Sequence, residues 1–233
     1  MEPNNKLVKA TGIMFLFSLF FPLLNWAFIL SRLTVSGGVQ DIAENMMKHE
    51  HLYRLSIANE LVLAVSVVIT AVLLYIILSP VNKFISLLAL SARLMEAFII
   101  TVFGLIGFTG LLFMNENSVI HAFSQEEVKT ALGFFFNIHT SLTASFPMLF
   151  IGIGLTLYNY LFFKSKCIPC IISGFGMLSY TLIFLYAVIN LLSTRQNAVF
   201  QMICWSPSIV FEIIIGIWLL VKGAQVKPCI NTV

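Results

Sequence analysis

Residues 53–78 read YRLSIANELVLAVSVVITAVLLYIIL, and 61–78 within them hold no charged residue. A helix needs about 20 residues, at about 1.5 Å each, to cross a hydrocarbon core of about 30 Å. Five further apolar runs meet that length, at 10–30, 84–114, 132–163, 168–192 and 201–221. The chain is therefore predicted to be all-α, a polytopic membrane bundle of six transmembrane helices. No linker or low-complexity tract divides it, so residues 1–233 read as one integral-membrane domain. The runs at 84–114 and 132–163 exceed the minimum and are expected to tilt, kink or project. Pro22, Pro147 and Pro207 are the candidate kink points.

Composition agrees. Of 233 residues, 59% are hydrophobic and 10% charged, against about 25% charged in soluble domains. Mean hydropathy is +0.98. Twenty-two Phe and thirteen Gly suit a lipid-embedded bundle, where small residues let backbones approach. The net charge of +3 is too small and scattered to favour nucleic acid, and the implied partner is the lipid bilayer.

Lys6 and Lys9 precede the first run, which is too long for a signal-peptide core and lacks a small-x-small site after it. It reads as an uncleaved span. With the N-terminus inside, Lys6, Lys9, Lys83, Lys164, Lys166, Lys222 and Lys227 fall on the cytoplasmic side. Arg32, Lys48, Arg54, Lys129 and Arg195 fall opposite, mixed with Asp41, Glu44, Glu50, Glu116, Glu126 and Glu127. The basic bias of seven to five places both termini in the cytoplasm. In the long outer loop, after Ser36-Gly37-Gly38, the residues Val39, Ile42, Ala43 and Met46 recur at helical spacing, predicting a short helix at the outer interface. An ordinary ordered loop is the alternative.

Four ionisable residues sit deep in these runs: Glu60, Arg93, Glu96 and Glu212. Each costs about 2.5–3.5 kcal/mol at the centre of a bilayer helix, so they are expected to face the bundle interior. By helix rise, Arg93 lies about 14 Å, Glu96 about 18 Å and Glu212 about 15 Å from the cytoplasmic boundary. Glu60 lies about 10 Å below the outer surface, with His139 at similar depth. Ser208, Glu212 and Gly216 form a small polar stripe, and Arg93 and Glu96 share a side of their helix with Gly104 and Gly107. One buried cluster is the expectation, with Glu212 or Glu60 as the better-shaped partner for Arg93. Carboxylates left over must take a proton, hold a cation or face water. His139 and Thr143, one turn apart, read either as a hydrogen-bonded core pair or as an outer wall of that cluster.

Other constellations are weaker. Cys167-Ile168-Pro169-Cys170 opens a helix, and that spacing permits disulfide exchange or, with Cys229, a metal site. Its place on the predicted reducing face makes incidental cysteines the plainer reading. His49-Glu50-His51 lacks the two-histidine helical spacing of a zincin. Trp26, Trp205 and Trp218 read as interfacial anchors. No nucleotide, cofactor or nucleophile-elbow motif is present.

Several segments together resemble a known family. They are Leu52-Tyr53-Arg54-Leu55, Leu74-Tyr75 leading to Ser79-Pro80-Val81-Asn82, and Ala92-Arg93-Leu94-Met95-Glu96. Further on are Tyr160-Leu161-Phe162-Phe163-Lys164-Ser165 with Pro169 and Gly174, then Glu212 with Trp218-Leu219-Leu220-Val221-Lys222-Gly223. In these the chain resembles the bacterial integral-membrane proteins grouped as domain of unknown function 4386. The resemblance implies a bacterial cytoplasmic-membrane protein of about six helices with no established activity. Its pattern includes Arg93, Glu96 and Glu212, and supplies no catalytic residue. Cys167 and Cys170 stand where that pattern implies other residues.

The function expected from these residues is binding of a proton, ion or small polar ligand at Glu60, Arg93, Glu96 and Glu212, in a transporter, channel-like protein or sensor. His139, Thr143 and Ser208 would line the site. The alternative is a structural or accessory membrane protein whose buried charges only set helix packing. A lipid-acting intramembrane enzyme is the least favoured, since paired carboxylates stand without a nucleophile or metal-ligand set.

Overall fold

The computed structural model describes residues 5–34, 39–114, 124–143, 145–193 and 198–222. The Ser36-Gly37-Gly38 turn, Glu116, Arg195, Gly223, Lys227 and Cys229 lie outside the described residues. All regular structure among the described residues is helical. The helices are α1 (Asn5–Leu24), a π-helical stretch (Asn25–Leu30), α2 (Ser31–Leu33), α3 (Val39–Lys48), α4 (Glu50–Leu78) and α5 (Lys83–Met114), followed by α6 (Gln125–Thr143), α7 (Phe146–Ser165), α8 (Cys170–Leu192) and α9 (Ala198–Lys222).

Six helical spans are long and apolar enough to cross a membrane: Asn5–Leu33, Glu50–Leu78, Lys83–Leu112, Glu126–Ser165, Cys170–Leu192 and Val199–Lys222. The protein is thus a multi-pass membrane protein. Apolar side chains such as Trp26, Phe84, Phe98, Ile171 and Met202 stay largely exposed, as a lipid-facing surface requires.

Helix starts and stops follow local chemistry. Asn82 Oδ1 accepts the Ile85 amide at 2.9 Å and caps α5. Ser124 and Glu127 form a reciprocal capping box at the start of α6, with Glu127 Oε2 accepting the Ser124 amide at 2.7 Å and Ser124 Oγ accepting the Glu127 amide at 3.3 Å. Lys166 ends α7 in the left-handed conformation, φ 55°.

The prolines act differently from one another. Pro22 lies inside α1, and three residues later the helix widens into its π stretch. Asn59 of α4 donates to the Phe21 carbonyl there at 3.1 Å. Pro207 sits inside α9. Pro147 is no interior kink: it occupies the first turn of α7, where its missing N–H costs nothing, and the fourth span is two helices, α6 and α7.

The six long spans pack in chain order, α1 on α4, α4 on α5, α5 on α7, α7 on α8 and α8 on α9, and α9 returns to α1. Their main core gathers Phe15, Leu74, Leu155, Tyr158, Tyr180, Ile183, Phe211 and Ile215. Lipid tails are as apolar as these side chains, so close packing carries much of the helix association. The seam between α1 and α9 shows how close: a Cβ placed on Gly12 would stand 2.7 Å from the Gly216 carbonyl oxygen. The short helix α3 exists, with Ala43 and Met46 fully buried. Its apolar residues pack on other helices of the bundle. Ala43 packs with Val128 and Leu132 of α6, and Met46 with Ile29, Leu33 and Tyr53.

Candidate functional site

Arg93 and Glu96 stand three residues apart on α5, a spacing that brings side chains together on one helix face. Arg93 Nη1 donates to Glu96 Oε2, and the side chains are only 3% and 4% exposed. The pairing expected with Glu212 or Glu60 is therefore replaced by one within the helix. Gly154 of α7 accounts for much of this, because it lets α7 close over the arginine stem. A Cβ at Gly154 would come within 2.8 Å of Arg93 Cγ and 2.9 Å of Cδ. A partner on the same helix face can then be reached without moving α7.

Glu212 arrives from α9 and Tyr180 from α8. The Tyr180 hydroxyl, fully buried, donates to Glu212 Oε1 at 2.7 Å. Arg93 and Glu212 both exert their charge on Glu96, and Arg93 acts on Glu212 and Tyr180 as well. Three helices thus contribute to one inner centre. Tyr180 packs edge-on against Phe211, 5.6 Å between ring centroids, which holds the phenol beside α9.

Sequence reasoning missed the uncharged members of this centre. Tyr158 of α7 lies within the field of Arg93 and donates to the Ala71 carbonyl at 2.9 Å, tying α7 to α4. Asn159, next to it, donates to Leu155 at 2.8 Å, while its Oδ1 has no partner and lies against Gly176 of α8. Arg93 Nε is likewise buried and unpartnered. A polar residue at mid-span was the available signal for all three, since burial obliges each hydroxyl or amide to find a partner.

Glu60 joins a different group. The His139 imidazole Nε2 lies 3.0 Å from its carboxylate, with the side chains 13% and 12% exposed. Glu60 crosses α5 at Gly104, where a Cβ would be 3.8 Å from its Oε2. Gly104 is eight residues beyond Glu96, about 12 Å along the helix. The four acids and bases expected in one cluster are therefore placed in two: Arg93, Glu96 and Glu212 within the bundle, and Glu60 with His139 nearer the end that bears α3. Reach explains the split. The slot at Gly104 leads the Glu60 side chain across α5 toward α6, away from Arg93.

Thr143 and Ser208 serve their own helices. Thr143 Oγ1 donates to the His139 carbonyl at 2.6 Å, leaving the imidazole to Glu60. Ser208 Oγ donates to the Trp205 carbonyl at 2.8 Å. Trp205 is not the anchor its position suggested: its indole packs on Tyr186, 6.0 Å between centroids, and its buried Nε1 has no partner. At the far end of the bundle a recess of about 400 Å³ opens beside Lys166, Trp218 and Lys222. Cys170 there is a free thiol, so it is not joined to Cys167.

Neither a curated protein nor a solved structure matches the chain. A family model described as domain of unknown function (DUF4386) matches residues 10–223. That match takes in both charged groups, five whole spans and all but the first residues of the Asn5–Leu33 span, and the chain belongs to the DUF4386 family.

Proposed function

We propose that this protein binds a proton, an ion or a small polar ligand at the centre formed by Arg93, Glu96, Glu212 and Tyr180, as a transporter, channel-like protein or sensor of the bacterial cytoplasmic membrane. Its termini would face the cytoplasm, following the bias of short-loop lysines. The observation that carries this reading is a count. Two carboxyl groups and one guanidinium share this centre, Arg93 and Glu96 buried and Glu212 half-buried, so with all three ionised the sum is −1. An uncompensated charge costs several kcal/mol away from water, and one bound proton or monovalent cation removes it. Arg93 Nε and Asn159 Oδ1 retain a donor and an acceptor for such a ligand. Pro207, five residues before Glu212, supplies a point at which occupancy could be coupled to a change in α9.

The test is proton uptake by the reconstituted protein in vesicles carrying a lumenal pH dye, comparing wild type with Glu212→Gln. Loss of the proton response in a folded variant is expected. An unchanged response would overturn the reading.

One observation favours a purely structural role instead. Gly154 seats directly on Arg93, and a Cβ on Gly176 would lie 2.5 Å from both Asn159 Oδ1 and Phe211 Cε2, which is clamp-like packing. Under that reading the vesicles show no proton or ion response even with the wild-type chain.

A further inference from the structure

We propose that Glu60 and His139 form a second proton-binding site, separate from the inner centre, whose occupancy latches the half-span α6 onto α4. The proposal does not depend on the inner centre being functional.

The pair joins helices that otherwise meet little. α6 packs chiefly on α5 and α3, and the long contacts of α4 are with α5 and α1. Glu60 bridges that gap by passing over Gly104, and Phe103 lies edge-on to His139, 6.5 Å between centroids, closing the α5 side. α6 is also a helix distinct from α7. α6 is described to Thr143 and α7 from Phe146, and Pro147 in the first turn of α7 lacks the amide that a continuous helix would use. α6 rests on α5 and α3 through Val128, Leu132 and Phe136, so its attachment to α4 depends on this polar pair.

The proton count sets the direction. With one proton on the imidazole the pair is a carboxylate and an imidazolium, net zero, and stays in a site only 12–13% exposed. Without it the Glu60 charge is unbalanced, and the low-dielectric site is stabilised only if water reaches it. Protonation therefore closes α6 on α4 and deprotonation releases it. Other ionisable groups near α6 do not replace this pair. Tyr53 of α4 lies within the field of Glu60, but its hydroxyl is donated to the Gly107 carbonyl at 2.8 Å. Glu44 of α3 pairs with Lys129 of α6 at 3.3 Å, ten residues from His139 and more exposed.

The experiment measures the distance between spin labels at Leu55 on α4 and Phe134 on α6, both exposed, introduced as unnatural amino acids so that the cysteines stay native. In wild-type protein reconstituted in nanodiscs, the distance distribution should lengthen as pH is raised. Glu60→Gln and His139→Gln should each lose that pH dependence, and Glu212→Gln should keep it. A wild-type distribution that does not move with pH overturns the proposal without recourse to any variant. So does a shift that survives both replacements, or one that Glu212→Gln abolishes, which would make the pair part of the inner centre.

Discussion

Tyr180 holds Glu212 through a 2.7 Å hydrogen bond between two membrane-spanning helices, α8 and α9. Neither helix carries another charged residue within its buried length, so this contact links α8 to the charged centre. Tyr180→Phe keeps the ring against Phe211 and removes only the donor. A hydrogen bond to a charged group contributes about 1.5–3 kcal/mol, and a loss of that size is expected in chemical denaturation from mixed micelles. A variant as stable as wild type would show that Glu212 finds another donor at no cost.

Arg93 and Glu96 separate a structural pair from an isolated charge. Removing one partner of a buried pair costs about 3–5 kcal/mol, whereas replacing both with apolar residues of similar volume is often neutral. Arg93→Met alone should therefore be strongly destabilising, and Arg93→Met with Glu96→Leu should recover most of the loss. Additive losses in the double variant, measured by the same denaturation, would mean the two side chains do not act as a pair.

The seam between α1 and α9 predicts an asymmetry. A Cβ at Gly12 meets a backbone oxygen of Gly216 at 2.7 Å, while a Cβ at Gly216 meets the flexible Leu16 side chain at 2.7 Å. Backbone cannot step aside, and a leucine can. Gly12→Ala should cost about 1–3 kcal/mol as an overpacked contact, and Gly216→Ala clearly less. Thermal unfolding of the two variants decides it, and equal shifts would contradict the geometry.

Gly154 and Gly174 give a second contrast. Gly154→Ala forces α7 away from Arg93, with a cost of about 1–3 kcal/mol. Around Gly174 a Cβ meets nothing within 4 Å. Gly174→Ala should be neutral or gain up to about 1 kcal/mol from reduced backbone entropy in the unfolded chain. Melting temperatures measured side by side check both.

The six spans were legible because hydropathy over 20 residues is a strong, local signal, as in 61–78. Burial of Arg93 and Glu96 was legible because charge has so few tolerable places in a bilayer, and Glu212, from the same argument, is half-buried. Their partners were not. Depth from helix rise gives height in the membrane but no azimuth, so it could not tell that Glu60 turns toward His139, or that Arg93 stays with Glu96. Tyr180 and Asn159 carry no charge and look like ordinary members of apolar runs. The separation of α6 from α7 was hidden too: Pro147 announces a disturbance in either case, and only its place in the first turn of α7 distinguishes a new helix from a bent one.

The contact of Gly12 with Gly216 joins the earliest span to the latest. Chain order alone means that neither Gly12 nor the Tyr180 hydroxyl has its partner until α9 is made. One helix, α9, thus supplies both the backbone that Gly12 meets and the carboxylate that Tyr180 binds.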